Sequence, residues 1–286
     1  MVEMISGDTN VVYGAITGLE LDRESVELAP GIILRPTIAE IFSAVMLAYG
    51  LPQPGKPHPG PWAALQGGMA LKARIQLEVN LADVPKGMDH RTVAWLVTAL
   101  IRLHVDGPIR LAAVSPHPYS PEHAKLHVGE LYEGSPHHWG IFKPGEHFVA
   151  LAESNYTWLR RQLPRTFVLW ETERFRRAFS VFDEARFSAS SESSVSMIWT
   201  ALEVLLGLST SRDKGRMMAK ALSEFVAAPD EADRARDMVR DLYTKRGSII
   251  HAAGKATSRD HIQLIRIATV AFQQCVVIGM PDDGSA

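Results

Sequence analysis

The chain has 286 residues, 46% of them hydrophobic and 22% charged, with a formal net charge of −2. Those proportions belong to a globular chain of one large or two modest domains and exclude one too polar to bury a core. The charge is mildly divided, with a small acidic excess before residue 165 and a small basic excess after it. This permits a phosphate-binding surface on the second half without requiring one.

Met1–Asn10 holds two acids, no basic residue and no apolar run, so no secretory signal is expected. Val11–Leu21 and Ser25–Leu34 are apolar, β-branched runs separated by Asp22-Arg23-Glu24, a pattern that predicts a hairpin. Ile38–Tyr49 has helix-like apolar spacing behind Pro36-Thr37 and predicts a helix capped by Thr37. The segment from Leu51 to Pro61 contains five prolines, which exclude helix and central strand and predict an extended loop. Arg74–Val79 alternates like a half-buried strand. Asp89–Val105 predicts a helix with Asp89 as N-cap and one stripe of Val93, Leu96, Val97, Leu100 and Ile101. Ile109–Val114 is a further strand, followed by a Pro- and His-rich loop through Pro144.

After Asn155 the period becomes helical. The predicted helices are Phe167–Phe182; one opening at Ser188–Ser194 with Val195, Ile198, Trp199, Leu202 and Leu205 on a face and Gly207 as its stop; Gly215–Ala227; one starting at Pro229-Asp230; and Ser258–Met280. Five amphipathic helices with short connections predict a bundle. The reading is therefore an α+β N-terminal domain over residues 1–160 and an all-α bundle over 165–280, with the boundary between about 150 and 167.

Thr37–Leu51 carries Glu40, and Ile262–Met280 is interrupted by Arg266, Gln273 and Gln274. Neither gives the uninterrupted apolar run of roughly 20 residues that a bilayer span needs, so no membrane partner is expected. The single cysteine, Cys275, cannot make an internal disulfide, which fits a reducing cytoplasm.

The fourth bundle helix runs into Leu242-Tyr243-Thr244-Lys245-Arg246-Gly247-Ser248-Ile249-Ile250-His251. This run resembles the Arg-x4–6-His motif of the HEPN superfamily, particularly its ApeA-like branch, in which Leu-Tyr precedes the arginine. The helix Trp199-Thr200-Ala201-Leu202-Glu203-Val204-Leu205-Leu206 resembles the family's second helix, with Glu203 at its acidic position. Arg110 and His117 also satisfy the bare spacing, so the weight rests on helix order, the Leu-Tyr lead-in, apolar Ile249 and Ile250, and the upstream Ala-Leu-Glu. The likeness covers the C-terminal bundle and none of the first half.

The resemblance implies an endoribonuclease that works without metal or other cofactor, on an RNA such as tRNA, as a homodimer with both motifs at the interface. In that role histidine moves a proton at the 2′-hydroxyl or the leaving 5′-oxygen, and arginine meets the phosphate with a planar donor fork. Arg246 and His251 are the candidates for catalysis, with Ser248, Glu203 and Tyr243 supporting them. The family commonly places a polar residue, often asparagine, directly after the arginine; here that position is Gly247. The second reading is a HEPN bundle that only dimerises or binds RNA, with Arg246 paired to Glu203. The ApeA-like branch further implies phage defence or stress-triggered growth arrest.

Arg174, Arg176 and Arg177 lie in sequence beside Trp158 and Trp170 and, with Lys245, are weaker candidates for RNA contact. His123 and His127 have i, i+4 spacing and precede His137-His138, but no cysteine or Glu-x-x-His pattern accompanies them, so no metal site is assigned. Gly14, Gly18 and Gly31 lack the spacing of a phosphate loop.

Overall fold

The computed structural model describes residues 10–42, 46–48, 50–51, 53–56, 59–64, 70–123, 130–131, 148–188, 190–208, 213–251 and 257–281. The elements are β1 (Val11–Thr17), β2 (Leu19–Glu20), β3 (Val26–Ala29), β4 (Ile32–Phe42), β5 (Met46–Ala48), β6 (Trp62–Ala64), β7 (Ala70–Asn80), α1 (His90–His104), β8 (Arg110–Ser115), β9 (Glu130–Leu131), β10 (Val149–Ala150), α2 (Glu153–Glu171), α3 (Glu173–Ala185), α4 (Ser191–Leu205), α5 (Lys214–Val226), α6 (Ala232–His251) and α7 (Ser258–Ile278). A mixed α and β first half thus leads into a helical second half.

Six strands form an antiparallel sheet in the order β3-β4-β7-β1-β8-β9. Its apolar face, built from Val12, Ile16, Ile32, Leu34, Ile75, Leu77 and Val79, is fully buried. The sheet contacts α1, which in turn contacts α2 and α7. Asp89 caps α1, its carboxylate accepting the Thr92 N–H at 2.9 Å. The predicted stripe Val93, Leu96, Val97, Leu100, Ile101 is buried, and so are Ala94, Thr98, Ala99, Arg102 and Leu103. A helix covered round most of its circumference is an interior element, and here the sheet lies on one side and the bundle on the other. One apolar core therefore runs from the sheet through α1 into the helices.

Several sequence expectations are revised. The hairpin does not join Val11–Leu21 to Ser25–Leu34: β1 pairs with β7 and β8, and the hairpin is β3–β4 around Pro30-Gly31. Gly31 takes φ +70°, and a Cβ there would stand 2.7 Å from Cβ of Asp83, so the turn needs glycine. The helix expected over Ile38–Tyr49 is the end of β4 followed by β5. β4 pairs with β7 from Ile32 opposite Val79 to Phe42 opposite Ala70, with the register shifting between Pro36 and Ala39. That bulge accommodates a proline without a ladder N–H and leaves Ile38 79% exposed. Thr37 caps nothing; its Oγ1 donates to the Tyr119 carbonyl at 2.6 Å.

The helix expected over Phe167–Phe182 is two helices, α2 and α3, divided at Thr172. α2 begins much earlier, where Asn155 Oδ1 accepts the Ala152 N–H at 2.7 Å. It carries Pro164 in its interior, which removes a backbone donor, on an exposed position. The second half therefore holds six helices among the described residues rather than five. α4, α5, α6 and α7 lie close to their predicted spans, with Ser190 and Thr257 as side-chain caps. α7 is long and apolar enough to cross a membrane by length and composition, yet half of its apolar window is buried inside the bundle. Cys275 is buried on α7, and burial pushes its thiol up to about 12.

The halves are joined by a buried ion pair. Arg102 of α1 donates through Nε and Nη2 to Oδ1 and Oδ2 of Asp183 on α3, at 2.9 and 2.6 Å. Both side chains are 5% exposed. Nη1 of Arg102 donates to the Ile109 carbonyl at 3.0 Å, and Trp95 Nε1 donates to Asp183 Oδ2 at 3.0 Å. Breaking such a pair strands a buried charge, whereas replacing both partners does not. Arg102→Met and Asp183→Asn are each expected to lose about 3–5 kcal/mol in urea unfolding. Arg102→Met/Asp183→Leu together should lose clearly less than the sum of the single changes.

His261 on α7 is buried, with Nε2 2.8 Å from Ser194 Oγ. Burial holds its pKa below the ordinary imidazole value. The unfolded chain therefore binds its proton first as pH falls, and stability declines from about pH 6.5 down to the lower folded value. Urea midpoints at pH 8 and pH 5.5 should differ more for the wild type than for His261→Gln, which keeps a hydrogen-bonding group but does not titrate.

Candidate functional site

Three helices bring the motif residues together. Glu203 lies near the end of α4 and is 7% exposed; Tyr243 and Arg246 occupy successive turns of α6; Lys214 opens α5. Arg246 Nη1 donates to Glu203 Oε1 at 2.5 Å and to Tyr243 Oη at 2.9 Å. Tyr243 Oη donates to the same Oε1 at 3.2 Å, and Lys214 Nζ donates to Glu203 Oε2 at 3.3 Å. One buried carboxylate thus faces two cations and a phenol.

Aromatic packing holds the group. The Tyr243 ring meets Trp199 edge-on at 5.0 Å, and the Arg246 guanidinium carbon stands 5.3 Å from the Tyr243 ring centre. Burial, then the charge of Glu203, pushes the Tyr243 hydroxyl above its ordinary pKa, so it stays protonated as a donor. Nε of Arg246 is buried without a partner, and Nη2 has no partner among the described residues. Among the described residues the arginine is therefore held by Glu203 and Tyr243 through Nη1 alone.

α6 remains helical through Gly247 and Ser248 to His251. Five helical steps turn about 140° and rise about 7.5 Å, so positions 246 and 251 do not share a face of one helix. The side chains of Ser248 and His251 lie outside the described residues. Gly247 is exposed, and a Cβ built there meets nothing within 4 Å.

The weaker candidates are distributed elsewhere. Arg174 Nη2 donates to the Pro281 carbonyl at 2.6 Å, Arg176 Nη1 to the Trp170 carbonyl at 3.2 Å, and Arg177 pairs with Glu173 at 3.7 Å. Trp170 packs on Trp95 and Trp158 stacks on His104, so both tryptophans are engaged within the fold. Lys245 bridges Asp241 at 2.7 Å and Asp260 at 3.0 Å, tying α6 to the first turn of α7. His123 accepts or donates at 2.8 Å to Ser120 Oγ; His127, His137 and His138 lie outside the described residues. Among the described residues no cluster of three or more histidine, cysteine and acidic side chains is suited to a metal.

Lys214 is the member that sequence reading missed. The signal lay beside it: a Cβ at Gly215 would meet the Tyr243 ring at 3.1 Å, so this glycine lets the start of α5 close on α6. Comparison with protein-family models, curated proteins and solved structures finds no match.

Removing the shared negative charge should leave two cations facing each other without an anion between them. Glu203→Gln is expected to cost about 2 kcal/mol in chemical unfolding. Tyr243→Phe, which deletes one hydrogen-bonding group, should cost about 1 kcal/mol.

Proposed function

We propose that the chain is a metal-independent endoribonuclease of the HEPN type, working as a homodimer. The observation that carries this reading is the cluster at the end of α6. Arg246, Lys214 and Glu203 together keep a net positive charge, and Arg246 is held in place with two of its three nitrogens unspent among the described residues. A preorganised guanidinium suits a phosphate whose charge grows in the transition state. His251 would take the 2′-hydroxyl proton, the 2′-oxygen would attack phosphorus, and the 5′-oxygen would leave with a proton returned to it. The products would carry 2′,3′-cyclic phosphate ends. Because positions 246 and 251 lie on different faces of α6, a site assembled across a two-fold axis suits the pair better than a site within one chain. By resemblance to the ApeA-like branch, the setting would be phage defence or growth arrest in the cytoplasm, with the sheet-bearing half selecting the RNA or sensing the trigger.

The second reading is a bundle that dimerises or binds RNA without cutting it. It is favoured by the direct Arg246–Glu203 pair, which offsets much of the arginine's charge, and by Gly247 in place of a polar side chain.

Total RNA and purified tRNA incubated in EDTA separate the two. The nuclease reading expects wild-type cleavage with 2′,3′-cyclic ends and a loss of about 100-fold or more in His251→Ala. Gly247→Asn has room for its side chain and should raise the cleavage rate without lowering stability. A folded wild-type dimer that neither cuts RNA nor arrests growth on overexpression would leave the binding reading in its place.

A further inference from the structure

A cavity of about 480 Å³ opens where the two halves meet, between the end of α1 and the start of β8, the end of α3, and the middle of α7. Its volume falls within the roughly 300–1,000 Å³ of small-molecule sites. The lining is largely apolar and includes Ile262 and Val270, two of the few large hydrophobic side chains of α7 that reach the surface.

Its charged groups are unequal. Arg102 is neutralised by Asp183. Arg186 has no such partner: Nη1 donates to the Arg102 carbonyl at 2.9 Å and Nη2 to Thr269 Oγ1 at 3.0 Å, while Nε is buried and unbonded. Two of its five N–H groups are therefore used, both on neutral acceptors. Its guanidinium carbon lies 4.9 Å from the Phe182 ring centre, which stabilises the cation without supplying an anion. Arg266, exposed at the rim, makes no ion pair or hydrogen bond among the described residues. The facing carboxylate is Asp106, exposed at the edge, and the facing imidazole is His104, which stacks on Trp158 at 4.1 Å. Two unpaired guanidiniums against one peripheral carboxylate leave the cavity positive. Desolvation pushes the Arg186 pKa down to about 10; the charges of Asp183 and Asp106 oppose that fall and the charge of Arg102 adds to it.

A partly buried cation without a paired anion is costly, and an apolar wall beside it favours a ligand that brings both an anion and a hydrophobic body. We infer that this cavity binds a small organic anion, a phosphate or carboxylate carried on an apolar or aromatic group, with Arg186 and Arg266 meeting the anion and Ile262 and Val270 covering the body. The inference stands apart from the RNA reading, since it uses none of the residues around Arg246.

Isothermal titration of the full chain with phenyl phosphate, benzoate and inorganic phosphate tests it. At least one aryl anion should bind more tightly than inorganic phosphate, and the tighter of the two identifies the anionic group. Affinity should fall roughly tenfold or more in Arg266→Ala, which removes a charged donor at an exposed position. It should be lost in Val270→Trp, which fills the apolar side. Arg186→Gln should also lose binding; if it fails to fold, the two rim variants decide. The inference is overturned if neither aryl anion binds, if inorganic phosphate binds as tightly as they do, or if either rim variant binds like the wild type.

Discussion

The ion pair between Arg102 and Asp183 organises the molecule, because it fixes how the sheet-bearing half meets the helices. Asp183 accepts three hydrogen bonds, two from Arg102 and one from Trp95, all from the α1 side of the junction. The third nitrogen of Arg102 is satisfied by the carbonyl of Ile109 at the start of β8. Each of the three nitrogens of this buried guanidinium thus has an acceptor, which is what makes its desolvation tolerable. Apolar packing around α1 gives the cohesion, being nondirectional, and the ion pair gives the register. α3 cannot slide or rotate on α1 without stranding a charge that water does not reach.

That arrangement explains which parts of the fold could be read from sequence. α1, α4, α5, α6 and α7 carry strong periodicity, α1, α4 and α7 have side-chain caps as well, and the spans are close to those read from the residues. The failures have local causes. In β4 the apolar residues straddle a bulge, so Ile38 falls on the exposed side and a strand imitates helical spacing. In α2 an interior proline hides a helix whose other residues pack well. The burial of α1 on two sides was not legible from its stripe, since a stripe reports one packing partner and α1 has two. Asp183 reads as one more polar residue on an amphipathic helix; only the approach of α1 makes it a buried acceptor.

The cluster around Glu203 was legible in part for a related reason. Glu203, Tyr243 and Arg246 belong to one motif and one resemblance, so sequence could group them. Lys214 joins through the close approach of α5 to the Tyr243 ring, a tertiary event marked in the sequence only by Gly215. Its arrival changes the electrostatics. A lone Arg246–Glu203 pair would be neutral and self-satisfied, whereas a second cation on the other carboxylate oxygen divides the acceptor between two donors. Each cation is then incompletely compensated, which is the condition under which an added anion gains the most.

The same logic links the start and the middle of α7. Near its start, Asp260 accepts from Lys245, the residue beside Arg246, and from the Thr257 cap, so the first turn of α7 is tied to the motif helix. Six residues on, about 9 Å along the axis, Arg266 reaches the rim of the cavity, and Thr269 accepts from Arg186. Arg186 in turn donates to the backbone of Arg102, within the clamp that joins the halves. A continuous chain of polar contacts therefore runs from the clamp, past the cavity and along one rigid helix, to the cluster at the end of α6. Contacts of this kind transmit binding only where the connecting element has two arrangements to choose between. The N-terminal turn of α7 is set by an ion pair, a cap and the buried His261 imidazole against Ser194 Oγ.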